Sequence, residues 1–164
     1  MYRGALNNSS RLLGDRNGSS LVELSILMPI VLTLGFGVFE FGNMLYQHHL
    51  VETGLKDAAR YLARVRDPIA NQQIGKEIAV MGEVAGTNKR VSFWNISDVS
   101  VTLSSIANPP DATTGERTYR GPDPILIVRV STTATYNSMG FLSYLGLGNG
   151  ITFSLYHEER VVGE

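Results

Sequence analysis

Hydrophobic and polar positions change rhythm three times along this chain. From Leu24 to Phe39, 16 consecutive residues are uncharged and mostly Leu, Ile, Val and Phe, with Glu23 and Glu40 on either side. The run is apolar on every helical face. Such a helix is either buried on all sides or held in lipid, and a chain of 164 residues has little core in which to bury it. As a helix, Leu24 to Phe39 spans about 24 Å, short of the roughly 30 Å of a hydrocarbon core. Continuing to Tyr46 reaches spanning length and sets Glu40 near the outer interface. Residues 19–46 are therefore read as a transmembrane segment in the lipid bilayer.

The second rhythm is amphipathic. Phe41, Met44, Leu45, His48, Val51, Leu55, Ala58, Leu62 and Val65 recur at three- and four-residue steps, and Gln47, Glu52, Lys56, Asp57, Arg60 and Arg64 fill other faces. Asp67-Pro68 predicts the stop, because a residue before proline is biased out of the helical region. One helix from about residue 20 to residue 66, near 70 Å long, is expected. Its first half faces lipid, and its second half, 47–66, carries a domain. Pro29 removes one backbone hydrogen bond and predicts a bend in the span. Gly35, Gly37 and Gly42 permit close helix approach or bending; they read equally well as glycines tolerated in a lipid-held helix.

The third rhythm is that of strands. A short helical pattern over 69–84, through Ile74, Ile78 and Met81, closes near Gly82 or Gly86. Alternation of period two then marks 98–103, 125–136 and 151–161 as strands. Between the first two lies NPPDATTGERTYRGPDP, rich in turn formers and expected as an exposed loop. Residues 141–149 read as a Gly-rich aromatic turn with room for one helical turn. Short connections favour an antiparallel sheet of three or four strands. Its apolar face needs a cover, and the Val51 to Val65 face of the long helix supplies one. The fold class is α+β: a long N-terminal helix packed on a small antiparallel sheet within residues 67–164.

Composition sharpens this picture. A net charge of -1, from 14 basic and 15 acidic residues, leaves no nucleic-acid footprint. Without cysteine, disulfides, thiolate metal sites and a cysteine nucleophile are excluded. The mean hydropathy of +0.01 averages unlike parts. Residues 1–18 hold Arg3, Arg11 and Arg16 against Asp15 alone, and Gly, Asn and Ser punctuate them, so no stable helix is expected there. A basic segment ahead of the apolar run predicts a cytoplasmic N-terminus, with the C-terminal domain across the membrane. A secretory signal competes with this reading, but no A-x-A cleavage site follows the apolar run.

Glu23 interrupts an apolar run that begins at Leu21 and Val22. A carboxylate there is costly within a membrane and a functional candidate by default; alternatively it marks the interface or meets the N-terminal helix dipole. Gly18 lies five positions earlier, in Gly18-Ser19-Ser20-Leu21-Val22-Glu23. This spacing resembles that of prepilins. The resemblance implies a basic leader, 1–18, removed by a prepilin peptidase between Gly18 and Ser19. It also implies a new amine at Ser19 paired with Glu23, which sets subunit register in a filament.

A longer match narrows the family. Arg16-Asn17-Gly18-Ser19-Ser20-Leu21-Val22-Glu23-Leu24-Ser25, then Met28-Pro29, then Gly37-Val38-Phe39-Glu40-Phe41-Gly42, then Ala58-Ala59-Arg60-Tyr61-Leu62-Ala63-Arg64 together resemble the TadE-like family of the tight-adherence (Tad, or Flp) pilus. The departures are Leu24-Ser25, where Phe or Tyr and Ala are commoner, and Leu62 in the A-A-R-Y segment. The resemblance implies a pilin-like fold and a minor pilin or pseudopilin of the bacterial inner membrane, able to enter an extracellular pilus and so serve adhesion. Implied partners are the prepilin peptidase, other major and minor pilins through the apolar helix, and the inner-membrane assembly platform. The rival expectation is an uncleaved bitopic membrane protein whose periplasmic domain binds a partner or ligand.

No catalytic residues, cofactor or metal are expected. No Ser-His-Asp order, paired carboxylate motif or phosphate loop stands out, and Gly146-Leu147-Gly148-Asn149-Gly150 is not G-x-G-x-x-G. His48 and His49 are adjacent and point about 100° apart on a helix, so one face cannot present both. His48 with Glu52 would give two ligands and no site, and His157 is isolated. Asn95-Ile96-Ser97 fits a glycosylation acceptor, a pattern common by chance.

Overall fold

The computed structural model describes residues 16–146 and 150–163, without the side chains of Arg16 and Asn17. The body of the expected leader, 1–15, and three residues of the expected Gly-rich turn, 147–149, lie outside the described residues. Helix α1 is Arg16–Leu62 and α2 is Gln72–Met81. A 3-10 turn, Ile96–Asp98, leads into β1, Val99–Ile106. Strand β2 is Ile125–Tyr136, α3 is the single turn Phe141–Tyr144, and β3 is Ile151–Arg160. The three strands form one antiparallel sheet in the order β1-β2-β3. The fold is α+β, as the pattern predicts. The chain divides between Phe41 and Gly42 into two units.

The first unit is the apolar part of α1. The helix starts at Arg16, ahead of the expected residue 20, so Gly18 and Ser19 are helical. Apolar side chains from Leu21 to Phe39 are exposed on all faces.

The second unit holds the rest of α1 and the sheet. The helix stops at Leu62, short of the expected Arg66, and the reason is tertiary. The Ala63 and Arg64 N–H groups donate to the Ala59 and Tyr61 carbonyls at 2.8 and 3.1 Å, tightening the last turn. The Ala63 carbonyl accepts from the N–H groups of Val162 and Gly163 at 2.8 and 3.1 Å. The segment after β3 thus ends the helix. Asp67-Pro68 opens the next turn instead: the Asp67 carboxylate accepts from the Ile69 and Ala70 N–H groups, both at 3.0 Å. Helix α2 is shorter at both ends than the pattern suggests. It closes on Gly82, whose φ of 83° suits glycine and whose N–H donates to the Ile78 carbonyl at 2.9 Å.

One face of α1, through Val51, Leu55, Ala58, Ala59 and Leu62, is fully buried in a cluster with Ala79 and Val80 of α2, Trp94, and Val99, Val128, Val130 and Ala134 of the sheet. The expected cover for the sheet is therefore in place. Glycine sets two of the closest approaches. A Cβ on Gly54 would meet the Ala79 carbonyl oxygen and the Trp94 ring, and one on Gly75 would meet the Leu62 side chain. Trp94 is 0% exposed. Its indole N–H donates to Thr132 Oγ1 at 2.9 Å, and that hydroxyl donates to the Asp98 carbonyl at 2.8 Å. Both polar groups of this buried chain are thereby paired. An ion pair, Arg90 Nη2 to Asp57 Oδ2 at 2.6 Å, ties the segment after α2 to α1.

Strand β2 has the bounds the alternation predicts, and β3 ends at Arg160, one residue early. Strand β1 starts after Asp98, whose carboxylate accepts from the Asn95 N–H at 2.9 Å, and runs on to Ile106. The 107–124 loop is built around Asn108, which is only 2% exposed. Asn108 donates from its N–H to Asp123 Oδ1 at 2.8 Å and from Nδ2 to the Tyr119 carbonyl at 2.8 Å, and its Oδ1 accepts from the Tyr119 N–H at 3.1 Å. One asparagine thus clamps both ends of the loop.

Candidate functional site

The candidate residues Gly18, Ser19, Glu23, Pro29 and Glu40 all lie on α1. Ser19 and Glu23 are four residues apart, which places them one turn apart on the same helix face. Both are exposed. Gly18 stands in open space, with no atom near the position a Cβ would take. The helix runs through Pro29 without interruption. Glu40 differs from its neighbours: it is only 4% exposed, while Phe39 and Phe41 on either side are exposed.

Two hydroxyls in the apolar stretch have a clear role. Ser25 Oγ donates to the Leu21 carbonyl and Thr33 Oγ1 to the Pro29 carbonyl, each at 2.7 Å. A hydroxyl bonded back by one turn presents no unpaired donor to an apolar solvent. Ser25, a departure from the family pattern, is chemically compatible with the segment around it. By length and composition alone, α1 is the one helix among the described residues able to cross a membrane, and none of its most apolar window is buried.

Just inside the second unit the helix face turns polar. Asn43 Nδ2 donates to the Tyr136 hydroxyl at 2.9 Å, and Gln47 Nε2 donates to Asn43 Oδ1 at 3.2 Å. The His48 ring stands edge-on to Phe153 with centroids 5.0 Å apart. His48 therefore packs on the sheet. On the face expected to cover the sheet, Val51, Leu55, Ala58 and Leu62 are buried; Phe41 and Leu45, within the expected transmembrane segment, are exposed. Asn43 and Gln47 are the docking residues the apolar period could not reveal. Among the described residues no group of three His, Asp or Glu comes together.

The sheet's outer face carries an open cleft of about 630 Å³, lined by Ser100, Arg129, Ser131, Thr133, Ser154 and Tyr156 among others. Arg129 lies over the Tyr156 ring, 4.0 Å from its centroid, and pairs with Glu158 at 3.1 Å. These contacts pair the Arg129 charge at the cleft.

Comparison with known proteins returns to the helix. No curated protein and no solved structure matches this chain. One family model does, that of TadE-like protein, over residues 18–60. The match begins at Gly18, takes in every candidate site residue and stops before the sheet. Over that segment the chain is similar to the TadE-like family.

Proposed function

We propose that this protein is a minor pilin, or pseudopilin, of a Tad pilus system. Similarity to the TadE-like family over residues 18–60 supports an association with the Tad pilus. The observation that carries the finer reading is the pairing of that match, which opens at Gly18, with an apolar half-helix exposed on every face. A surface of that kind needs lipid or other apolar helices around it. In the proposed life cycle the basic leader holds the N-terminus in the cytoplasm, and a prepilin peptidase cuts between Gly18 and Ser19. Cutting removes Arg3, Arg11 and Arg16 with Asp15, which eases extraction from the inner membrane. The new Ser19 ammonium and the Glu23 carboxylate then neutralise one another across one helical turn. In a low dielectric that pairing stabilises both charges and selects the axial position at which one subunit meets the next. The C-terminal domain is periplasmic at insertion and is carried outward on assembly.

Intact-mass measurement of membrane-extracted protein tests this. In cells with an active prepilin peptidase, the chain is expected to begin at Ser19. Gly18→Ala should block cutting, and Gly4→Ala should not. A chain that retains residues 1–18 in those cells would favour the uncleaved bitopic rival. Glu23→Gln is expected to be cut and then to fail in pilus incorporation.

A further inference from the structure

Strand β2 and helix α1 run in opposite senses, and this decides what lies at each end of the second unit. Near the start of that unit, Asn43 Nδ2 donates to the hydroxyl of Tyr136, the last residue of β2. The His48 ring meets Phe153, near the start of β3. Further along α1, Arg60 Nε lies 4.0 Å from Glu159 near the end of β3, and Glu159 pairs with Val128 near the start of β2. Strand β2 therefore travels along α1 toward Asn43. The segment joining β2 to β3, which pair at Tyr136 and Ile151, lies at the end of the unit where α1 enters it, at Gly42.

That end is free of formal charge. Neither the stretch between Glu40 and Glu52 nor the stretch between Arg129 and Glu158 contains Asp, Glu, Lys or Arg. Charges gather at the opposite end, in the 107–124 loop and at Arg60, Glu159 and Arg160. The joining segment is instead apolar at its surface: Tyr144 is 81% exposed and Leu145 52%. On α1, Leu45 and Tyr46 are exposed at the same end. The turn also pairs its own backbone. The Gly140 N–H donates to Ser138 Oγ and the Tyr144 N–H to the Gly140 carbonyl, both at 3.0 Å. The Leu145 and Gly146 N–H groups donate to the Phe141 and Ser143 carbonyls, both at 3.1 Å.

We infer that the turn around α3, through Tyr144 and Leu145, docks on the surface of the lipid bilayer as a second membrane contact of this chain. Position selects the occupant, and chemistry agrees with it. The inference rests on α1 spanning the bilayer, which sets residues 43–46 at the outer interface; it needs neither cleavage nor a pilus. The turn is tied to that level through Tyr136 and Asn43. Lipid is therefore what it meets first, whereas a protein partner would have to be brought there. A tyrosine offers an apolar ring and a polar hydroxyl, the combination enriched where hydrocarbon meets headgroups. Backbone N–H groups paired within the turn enter an apolar layer without losing hydrogen bonds. The absence of charge on both stretches removes the main cost of that approach. The domain is thus held to the bilayer at α1 and at the turn, and extraction has to release both.

Tryptophan quenching by brominated lipid tests this on the full-length chain, purified and reconstituted in phosphatidylcholine vesicles. The sole tryptophan, Trp94, is fully buried, so brominated phosphatidylcholine should leave wild-type emission little changed. Tyr144→Trp places a second indole on the turn at an exposed site. Its emission should be quenched, more by bromines near the carbonyl end of the acyl chain than by bromines near the methyl end. Phe36→Trp, within the apolar run, should show the reverse preference. Thr113→Trp, in the loop at the opposite end of the sheet, should not be quenched. Leu145→Trp is a second reporter of the turn should Tyr144→Trp disturb folding, which the Trp94 emission reports. If both turn reporters stay as bright as Thr113→Trp while Phe36→Trp is quenched, the inference is overturned and the membrane span stands. If Phe36→Trp also escapes quenching, the span itself fails and the inference with it.

Discussion

Leu21 to Phe39 and Val51 to Leu62 belong to one helix, yet they solve opposite problems. The first stretch sets large apolar side chains on every face and leaves them exposed. The second confines its apolar residues to one face, uses Gly54, Ala58 and Ala59 as well as Val51, Leu55 and Leu62, and buries them. Small residues bring backbones close where a partner within the chain is fixed. Large residues all round suit a partner that is fluid or arrives later. Composition along a helix therefore says which surroundings its side chains are built to meet.

Truncating a leucine in each stretch gives the largest contrast. Leu55 is 1% exposed and in the core, so Leu55→Ala should cost about 2–5 kcal/mol through lost burial and a cavity. Leu27 is half exposed and outside that core, so Leu27→Ala should leave the unfolding of the domain unchanged. Trp94, the sole tryptophan and fully buried, reports that unfolding by fluorescence in detergent. Equal losses for both variants would erase the distinction between the two stretches.

Glycine gives the next contrast. A methyl on Gly54 would collide with the Ala79 carbonyl and the Trp94 ring, so Gly54→Ala should destabilise by about 1–3 kcal/mol. Gly35 has open space around it, and Gly35→Ala should meet no clash. In a helix it gains up to about 1 kcal/mol of helical preference. Helical content by far-UV circular dichroism and domain unfolding by Trp94 fluorescence separate the two. A loss of pilus incorporation in Gly35→Ala, with folding intact, would instead point to close helix approach at that residue.

These contrasts also mark what the sequence could and could not tell. Alternation of period two placed β2 to the residue, because every second side chain, from Val128 to Tyr136, faces one buried layer. The three- and four-residue steps found Val51, Leu55, Ala58 and Leu62 for the same reason. The helix stop was misplaced because its cause, Val162 and Gly163 at the Ala63 carbonyl, lies about a hundred residues downstream. Asn43, Gln47 and Asn108 read as surface polars until the chain that satisfies them is in place. At the candidate site, the spacing of Gly18 and Glu23 and the family pattern were legible as sequence. The burial of Glu40 was not.

Within the second unit, a polar deletion sharpens how the core is tied to the sheet. Thr132→Val keeps the shape of the side chain but removes the acceptor of the Trp94 N–H. The indole is then buried with an unpaired donor, at a cost of about 1–3 kcal/mol. Unfolding followed by the tryptophan itself should shift accordingly, and its emission should change in the folded state. A neutral result would mean that the indole finds another acceptor, and that packing alone positions Trp94.

The smallest effect belongs to the loop, away from both helical stretches. The Asp111 carboxylate accepts from the Thr114 and Thr113 N–H groups, both at 2.8 Å, and from the Thr114 hydroxyl. Hydrogen bonds to the charged form, the Thr114 N–H first and the Thr113 N–H next, hold its pKa below the ordinary aspartate value. A carboxyl depressed in the folded state favours folding above its unfolded pKa, and that contribution fades as pH falls through the folded pKa. The order of the 110–117 turn should therefore persist at neutral pH and loosen only in acid. Asp111→Ala should loosen it at every pH while leaving the Asn108 clamp and the Trp94 signal unchanged. Amide exchange at Thr113 and Thr114 measures this locally. Protection there that is independent of pH, with Asp111→Ala matching the wild type, would show that the Gly115 N–H to Asp111 carbonyl bond of 2.9 Å holds the turn without the carboxylate.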